Sequence, residues 1–426
     1  MKVLIVGGGG REHAIAAKIA ENPQVTELFA APGNGGMAEI CRLVPLKATD
    51  ITGIMSFCKE EKMDYVVVAP DDPLCLGLVD LLAEAGIPAF GPEKKAAIIE
   101  GSKVFSKNLM KKYGIPTAAY AVCDEYDEAV AYINAQPEGP LVVKADGLAL
   151  GKGVLICQSK AEALDAVSTM MQHNAFGASG HRVVIEEFLE GPEVSVLAFT
   201  DGKCVKPMVS SMDHKRALDH DQGLNTGGMG TIAPNPCDTP QVAQRCMEEI
   251  FLPTIAAMNA EGRTFRGCLY FGLMLTKNGP KVIEYNCRFG DPETQVVLPL
   301  LESDLLTIMQ ATTNGTLAET EVKFSTGAAA CVVLASGGYP QKYQTGYPIA
   351  GLEEAGKTVC VFHAGTKRAE DGSILTAGGR VLGVTATAPS LKDAVAKAYQ
   401  AAEKISFTDM HKRNDIGQRA LMEVQA

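Results

Sequence analysis

The stretch "KVIEYNCRFGDPETQ", residues 281 to 295, starts as an apolar strand and continues with polar side chains. Successive strand residues point to opposite faces, so Val282, Glu284 and Asn286 are expected to share one face. Glu284 and Asn286 then lie roughly 7 Å apart and direct oxygen atoms into one volume. Divalent ions such as Mg²⁺ take oxygen ligands from a few protein groups and from nucleotide phosphates. These two residues are therefore a candidate metal pair, and a solvated polar strand edge is the alternative.

The glycine loop "GGGGREHA" follows the apolar run "KVLIV" at the start of the chain. A glycine turn between a strand and a helix directs backbone N–H groups at a phosphate. A dinucleotide fingerprint is not matched, because Glu12 or His13 stands where its third glycine is required. The second strand also ends in Ala31 and Pro32, where an acidic ribose ligand is needed. The loop is predicted to bind the phosphate of a smaller substrate or to be a plain turn.

A third candidate is the segment "VVKADGLALGKGV", which begins at Val142. It is not a Walker A motif, because three residues separate Gly147 from Gly151 and Gly153 follows Lys152 where Ser or Thr is needed. The segment lies between two predicted strands and is expected to be a hairpin that covers phosphates. Lys144 on the first strand would reach them as a point charge. A solvated hairpin is the alternative.

Acidic residues close the β-branched strand in "VVIEEFLEGPEVS". Glu186 and Glu187 end the strand, and Glu193 follows a short turn. Backbone groups at such a hinge can hydrogen bond to an adenine edge, and a carboxylate can accept from ribose hydroxyls. Acidic residues at a strand end can also simply be solvated.

Composition excludes several classes of protein. The chain has 426 residues, 46% hydrophobic and 21% charged, which is typical of ordinary globular proteins of several domains. The net charge of −11 argues against a broad surface for nucleic acid or for an anionic membrane. No apolar stretch approaches the ~20 residues of a membrane span, and "MKVLIVGGGG" does not resemble a signal peptide. The twelve cysteines include no C-x-x-C pair, so a reducing, cytoplasmic location is expected.

The order of predicted elements divides the chain into three regions. Strands and helices alternate over residues 1–101, which predicts an open parallel α/β domain of Rossmann-like type. Longer helices fill 102–326 together with three segments in which turn residues join apolar runs: "PLVVKADGLALGKGVLICQ", "HRVVIEEFLEGPEVSVLAFTDG" and "GCLYFGLMLTKNGPKVIEYN". Each favours an antiparallel hairpin, which predicts an α+β domain. Residues 327–426 predict a small mixed domain rich in short strands. The class is therefore a multidomain α/β and α+β protein.

Taken together, these motifs are far more specific than each is alone. The order "KADGLALGKGV", "VIEEFLEG", "NTGGMG" and "VIEYNCRFGDPETQ" resembles the ATP-grasp ligases, whose fold residues 102–326 would then adopt. The flanking "GGGREHA", "APGNGG", "MDHKRALDHDQGLNTGGMG" and "FHAGTK" narrow the resemblance to the glycinamide ribonucleotide synthetases, over essentially the whole chain.

This resemblance implies an activity and a set of partners. Members of the family join glycine to 5-phosphoribosylamine in de novo purine synthesis, with ATP converted to ADP and phosphate. ATP and Mg²⁺ or Mn²⁺ are then the expected cofactors, and the partners are small molecules, not nucleic acid or membrane. A monomer or weak homodimer is expected.

The resemblance also assigns roles to residues. Glu284 and Asn286 match the metal ligands. The ATP contacts are expected to be Lys103, Lys144, Gly151, Lys152, Glu186, Glu187, Leu189 and Glu193. Arg288 would neutralise charge on the transferring phosphoryl group, and Asp213 and Lys215 would contact glycine or the acyl phosphate. The substrate-binding set is Gly9, Gly10, Asn34, Asp71, Gly228 and Asp291.

Two departures from the family pattern lead to specific expectations. Members commonly carry Glu where "APDDPL" places the shorter Asp71, which would reach a ribose through a water or a backbone shift. The strand "CLYFGLMLT" lacks the further carboxylate that ATP-grasp enzymes supply before Glu284. Two other classes remain as alternatives: a nicotinamide-dependent oxidoreductase, which would need the missing fingerprint, and an inactive ATP-binding sensor, which need not keep Glu284, Asn286 and Arg288.

Overall fold

The N-terminal region folds around a parallel sheet. The computed structural model describes residues 1–148, 153–173 and 177–423. The first elements are β1 (Lys2–Gly7), α1 (Gly10–Ile19), β2 (Glu27–Pro32), β3 (Arg42–Leu43), α2 (Ile51–Glu60), β4 (Tyr65–Val68), α3 (Asp71–Leu76), α4 (Leu78–Glu84) and β5 (Ala89–Phe90). The strand order is β3-β2-β1-β4-β5, and all pairs are parallel. The predicted open parallel α/β domain is therefore confirmed.

Strand β1 shows why this sequence forms a central strand. Its residues Val3 to Val6 are fully buried, and Leu4 and Val6 pack in one core while Val3 and Ile5 pack in another. A strand buried on both faces needs such a continuous apolar run. Because the strand order reverses between β1 and β4, a crevice opens at the carboxyl ends of these strands. The glycine loop and Asp71 both lie there.

Two four-stranded antiparallel sheets form in the middle of the chain. The first group of elements is α5 (Lys94–Gly101), α6 (Lys103–Tyr113), β6 (Tyr120–Cys123), α7 (Tyr126–Ala135), β7 (Leu141–Ala145), β8 (Val154–Cys157), α8 (Lys160–Val167) and β9 (Val183–Glu187). The second is β10 (Glu193–Thr200), β11 (Val205–Pro207), β12 (Met212–Asp213), β13 (Arg216–Leu218), β14 (Gln222–Asn225), β15 (Gly230–Ala233), α9 (Pro240–Cys246), α10 (Leu252–Ala260), β16 (Gly267–Thr276) and β17 (Gly279–Asn286). One sheet has the order β6-β9-β7-β8 and the other β11-β10-β16-β17.

Two of the three expected hairpins form, and the third is wrong. Strands β7 and β8 pair with each other, as do β16 and β17. Strands β9 and β10 do not pair: β9 lies between β6 and β7, whereas β10 lies between β11 and β16. The turn at Gly191 instead carries the chain from one sheet to the other. A Cβ at Gly191 would collide with the carbonyl oxygen of Leu275, so the turn packs directly on β16.

The face predicted for Val282 is also wrong. The pairing of β17 with β16 shifts register between Glu284, opposite Gly272, and Val282, opposite Leu273. The extra residue of this β-bulge interrupts the alternation of faces. Val282 consequently packs in the same core as Tyr285, and it does not share the face of Glu284.

The C-terminal region completes a sheet that begins earlier in the chain. Its elements are α11 (Thr294–Val297), α12 (Leu305–Asn314), β18 (Ala328–Ser336), α13 (Leu352–Gly356), β19 (Cys360–His363), β20 (Thr366–Arg368), β21 (Ile374–Thr376), β22 (Arg380–Ala388), α14 (Leu391–Ala402), β23 (Met410–His411) and α15 (Gln418–Glu423). The sheet order is β12-β15-β18-β22-β19, with β23 also paired to β18. Strands β12 and β15 precede the expected boundary at residue 326, yet they belong to the same sheet as strands that follow it. The three domain limits stay predictions. None of the helices in the described parts of the chain has the length and apolar character needed to cross a membrane.

Candidate active site

The end of β17 carries the candidate metal pair. Glu284 and Asn286 are partly buried, and Oε1 of Glu284 lies 3.8 Å from Nζ of Lys215. Burial alone would raise the pKa of Glu284, but Lys215, Lys144 and Lys103 outweigh it and lower that pKa. Glu284 is therefore an ionised oxygen donor in cationic surroundings. Carboxylate and amide oxygens suit a hard divalent ion, so the donor set fits Mg²⁺.

Arg288 is held by a carboxylate that the sequence did not single out. Glu100, in the last turn of α5, accepts a 2.9 Å bond from Nη2 of Arg288 and a 2.7 Å bond from the N–H of Cys287. Burial alone would lower the pKa of Arg288, but Glu100 outweighs it and raises that pKa further above its ordinary value. The guanidinium is thus charged and fixed in place beside the candidate metal pair.

Lys144, which is expected to reach the phosphates, is held in place by an ion pair and a backbone hydrogen bond. Nζ of Lys144 lies 2.9 Å from Glu186 and donates to the carbonyl oxygen of Ile283 at 3.0 Å. Lys107, which sequence reasoning missed, lies 2.9 Å from the other oxygen of Glu186. Burial lowers the pKa of Lys107 to about 8. The Glu186 carboxylate is consequently committed to two lysines, which makes it an anchor for Lys144.

Lys103 lies at the start of α6 and reaches the segment "VVKADGLALGKGV", which is expected to cover the phosphates. Its Nζ donates to the carbonyl oxygen of Gly147 at 3.0 Å. Burial lowers the pKa of Lys103, although the carboxylate of Glu284 partly opposes this. Gly151 and Lys152, the other residues expected in this hairpin, lie outside the described residues.

The remaining expected nucleotide contacts are spread along the connection from β9 to β10. The carboxylate of Glu187 accepts from the N–H of Ala119 and from Nζ of Lys281, both at 3.0 Å. Leu189 is partly buried in the connection itself. Glu193 begins β10, and its carboxylate lies 3.0 Å from Nζ of Lys215. Of the three, Glu193 is the one joined through a lysine to the metal pair.

Lys215 bridges the two carboxylates that the sequence assigned to ribose and to metal. Its side chain is one-third exposed. Burial alone would lower the pKa of Lys215, but Glu193 and Glu284 outweigh it and raise that pKa well above its ordinary value. Lys215 therefore stays charged and is accessible to a ligand.

The surroundings of Asp213 disfavour its charge, whereas those of Lys215 favour the charge of the lysine. The Oδ1 atom of Asp213 is buried and has no hydrogen-bond partner among the described residues. Burial and the neighbouring Glu293 raise the pKa of Asp213 well above its ordinary value, and burial likewise raises the pKa of Glu293. Two buried carboxyl groups that destabilise each other's charge form a site that favours a cation.

Gly228 lies directly against this carboxyl group. Its φ is +118°, a conformation that residues with a side chain rarely adopt. A Cβ there would lie 2.6 Å from Oδ1 of Asp213 and would also collide with Pro292. The "NTGGMG" loop can therefore approach Asp213 only with glycine at this position.

The N-terminal glycine loop faces the same region from the other side. A Cβ at Gly9 would lie 3.3 Å from Oδ2 of Asp291, and one at Gly10 would meet the amide of Gln295. The N–H of Gly9 already donates to Glu12 at 2.6 Å. A phosphate here would meet the N–H groups of the first turn of α1, starting at Gly10, in competition with Asp291, which interacts with the N–H of Arg11.

Asn34 lies on the loop that follows β2, next to the glycine loop. All the hydrogen-bonding positions of the Asn34 side chain have protein partners. Its Nδ2 donates to the carbonyl oxygens of Gly8 and His363. Its Oδ1 accepts from the N–H groups of Gly36 and Met37. Asn34 therefore shapes the glycine loop and has no side-chain atom left for a substrate.

Asp71 is the first residue of α3, at the carboxyl end of β4. Its charge contributes to raising the pKa of Arg288, so the two side chains are close enough to interact electrostatically.

Three buried polar atoms around the segment 288–295 lack hydrogen-bond partners within the described ranges: Nε of Arg288, Oδ1 of Asp213 and Oε1 of Gln295. Buried polar atoms in folded proteins are nearly always paired. A cluster of such atoms beside an ionised Glu284 indicates a site whose partners come from a ligand. The ligand must offer both donors and acceptors.

The fold and this arrangement define an ATP-grasp protein, with an α/β domain before the grasp domain and a mixed domain after it. Residues 101–294 match the phosphoribosylglycinamide synthetase ATP-grasp (A) domain, residues 1–100 the N domain of that family, and residues 329–419 its C domain. The chain belongs to the phosphoribosylglycinamide synthetase family.

Individual relatives agree with this assignment. A phosphoribosylamine–glycine ligase of Vibrio parahaemolyticus is 48% identical over 429 residues, which cover 100% of both chains. The crystal structure of phosphoribosylamine–glycine ligase from Thermotoga maritima superposes with a TM-score of 0.86 at 36% identity, covering 98% of this chain and 100% of that one. The biotin carboxylase domain of the Hydrogenobacter thermophilus 2-oxoglutarate carboxylase shares the fold, with a TM-score of 0.74 at 17% identity over 96% of this chain and 91% of that one.

Proposed function

We propose that this protein joins glycine to 5-phosphoribosylamine at the expense of ATP, giving glycinamide ribonucleotide, ADP and phosphate. Family membership supports the overall reaction, since relatives that align over the full length carry the name phosphoribosylamine–glycine ligase. The observation that carries the local assignment is the cluster of unpaired buried atoms on Arg288, Asp213 and Gln295 next to Glu284. The small-molecule substrates would bind in this cleft. The enzyme would act in the cytoplasm.

ATP would bind between the two antiparallel sheets. Lys144 and Lys103 are held in place by Glu186 and by the carbonyl of Gly147, so they can neutralise phosphate charge with little reorganisation. Glu193 would accept from the ribose, with Lys215 adjusting beside it. Gly151 and Lys152 would cover the phosphates from the hairpin between β7 and β8.

Glu284 and Asn286 would hold Mg²⁺ or Mn²⁺ together with phosphate oxygens. The ion would neutralise charge on the phosphoryl group that ATP transfers. Arg288, fixed by Glu100, would face the same group from the protein side.

Glycine would bind as a zwitterion between groups of opposite sign. Its ammonium group would pair with Asp213 and Glu293, whose carboxyl groups are costly to ionise until a cation arrives. Its carboxylate would then point toward Arg288 and the ATP phosphates. A size limit follows from Gly228, because its loop leaves little room beside Asp213.

Phosphoribosylamine would lie across the crevice between β1 and β4. Its phosphate would accept from the first turn of α1, its ribose would approach Asp71, and its amine would reach the region of Asp291 and Gly228. Activation of glycine requires a better leaving group than an oxide, and transfer of the γ-phosphoryl group to a glycine oxygen supplies it. The amine then attacks this glycyl phosphate and releases inorganic phosphate.

The proposal is tested by phosphate release from the purified protein. Release of phosphate from ATP should require both glycine and phosphoribosylamine, and omission of either should reduce it to background. Phosphate release that is independent of phosphoribosylamine would contradict the proposed reaction. A parallel titration with NADH should show no saturable binding, since the dinucleotide fingerprint is missing.

A further inference from the structure

Arg380, in the C-terminal part of the chain, reaches the substrate cleft. Arg380 begins β22, and its Nη1 donates to the carbonyl oxygen of Gly227 at 2.7 Å and to that of Asp291 at 2.8 Å. Its Nη2 lies 3.5 Å from Oδ1 of Asp291. One guanidinium therefore joins the "NTGGMG" loop of the middle domain to the loop that follows β17.

The two loops that Arg380 joins are those that shape the acceptor side of the cleft. Gly228 lies against both Asp213 and Pro292, and Asp291 faces Gly9 of the N-terminal glycine loop. Asp291 also accepts a 2.8 Å bond from Gln295, whose other amide atom is buried without a partner in the described structure.

A second contact from the same domain strengthens this connection. The hydroxyl of Tyr339 accepts from the N–H of Gly227 at 3.1 Å. The N–H and the C=O of Gly227 are thus bonded to Tyr339 and Arg380, respectively. A Cβ at Gly379, the residue before Arg380, would collide with the Tyr339 ring, so these two C-terminal segments are packed together.

The charge of Arg380 also bears on the acceptor cleft. Burial alone would raise the pKa of Asp291, but Arg380 and Arg11 outweigh it and lower that pKa. Asp291 consequently stays ionised near the glycine loop. An ionised Asp291 can accept a hydrogen bond from a substrate hydroxyl or amine, whereas a protonated one would compete as a donor.

We propose that Arg380 is a positioning residue for phosphoribosylamine and glycine: it clamps residues 227–228 against Asp291, so the C-terminal domain holds the acceptor side of the cleft closed. The planar fork of arginine supplies several donors in fixed directions, and lysine cannot replace it at such a site. ATP binding, which depends on Lys144 and Lys103 in the middle domain, should not need this clamp. The identity of the two acceptor substrates rests on the proposed function, but the clamp does not.

The test compares Arg380→Lys with Arg368→Lys, a C-terminal arginine whose 3.0 Å pair with Glu39 is on the surface. In Arg380→Lys the KM values for phosphoribosylamine and glycine should rise about tenfold or more while the KM for ATP stays within about twofold. Tyr339→Phe should give a smaller change in the same direction. Arg368→Lys should match the wild type. Equal changes for all three substrates, or no change in Arg380→Lys, would overturn the role in positioning.

A second measurement separates the clamp from the proposed function. Hydrogen exchange of the Gly227 and Gly228 amides, measured without substrates, should be faster in Arg380→Lys than in the wild type and unchanged in Arg368→Lys. Unchanged exchange in Arg380→Lys refutes the clamp even if the ligase reaction is correct. If exchange is faster in Arg380→Lys but the wild-type protein has no ligase activity, the clamp is supported and the proposed function is refuted.

Discussion

The ammonium group of Lys215 lies 3.8 Å from the carboxylate of Glu284. A lysine thus lies beside the residue that is expected to bind a divalent cation, and it pairs with Glu193 at 3.0 Å as well. A divalent cation held by Glu284 would compete with Lys215 for that carboxylate, and Lys215 would then keep Glu193 as its partner.

Asn286→Ala is expected to abolish ligation while the fold is kept, because the amide is the proposed metal ligand and contributes little core volume. Turnover should fall by about a thousandfold or more, with an unchanged melting temperature. Asn278→Ala, in the turn between β16 and β17, is the matched control and should be fully active. If Asn286→Ala retains Mg²⁺-dependent turnover within a few-fold of the wild type, the metal assignment is incorrect.

Glu186→Gln is expected to raise the KM for ATP by about tenfold or more, since Lys144 and Lys107 lose the charge that anchors them. Glu249→Gln is the control: its carboxylate pairs with Arg245 on the surface, so ATP binding should change little. Thermal melting distinguishes a local effect from loss of the fold. Equal ATP affinities in the two variants would show that Glu186 does not support the nucleotide site.

Asp213→Asn is expected to stabilise the substrate-free protein at pH 8 while it abolishes ligation. The pKa of Asp213 is raised in the folded state, so its stabilising contribution is full below its ordinary value of 3.8 and is lost as pH rises through the folded pKa. Asparagine mimics the protonated acid, so the variant should gain about 1 kcal/mol in the free energy of unfolding at pH 8. This gain should shrink as the pH falls toward 5.

Asp201→Asn is the control with the opposite sign. Asp201 is buried, and three backbone N–H groups, of Lys203, Cys204 and Leu317, donate to its carboxylate. Burial alone would raise the pKa of Asp201, but these bonds outweigh it and lower that pKa. Asp201→Asn should therefore destabilise the protein at pH 8. Urea unfolding at both pH values measures the two effects, and destabilisation by Asp213→Asn would contradict the raised pKa.

Asp71→Ala is expected to raise the KM for phosphoribosylamine and to leave the KM values for ATP and glycine nearly unchanged. The neighbouring Asp72→Ala is the control, because both acids lie in the first turn of α3 and favour the helix N-terminus equally. A similar change for all three substrates in Asp71→Ala would indicate a structural role.

The sequence predicted the parallel sheet and the hairpins of β7 with β8 and β16 with β17, because glycine turns and apolar runs are local signals. It did not predict the bulge that moves Val282 into the core with Tyr285, since the order of apolar and polar residues does not show where the strand pairing shifts register. It also failed for β9 and β10, where the turn at Gly191 looks like a hairpin turn but packs on another sheet.

The residues that support the site were harder to predict than those within it. Glu100 appears in the sequence as one acid in an apolar helix, and its contact with Arg288 spans 188 residues. Arg380 lies 153 residues from Gly227 and belongs to no motif. Glu293 and Gln295 belong to the segment 281–295, but their spacing did not show their contacts. Glu293 raises the pKa of Asp213, and Gln295 donates a hydrogen bond to Asp291. Such contacts depend on how the domains pack.

The most direct test of the proposed chemistry follows the oxygen atoms of glycine. With glycine labelled by ¹⁸O in its carboxyl group, each ligation should transfer one ¹⁸O to the released inorganic phosphate and leave one in the product amide, as mass spectrometry would show. This result is required if ATP activates glycine as glycyl phosphate beside Glu284, Asn286 and Arg288. Unlabelled phosphate, formed at the same rate as glycinamide ribonucleotide, would contradict the intermediate and the roles proposed for these residues.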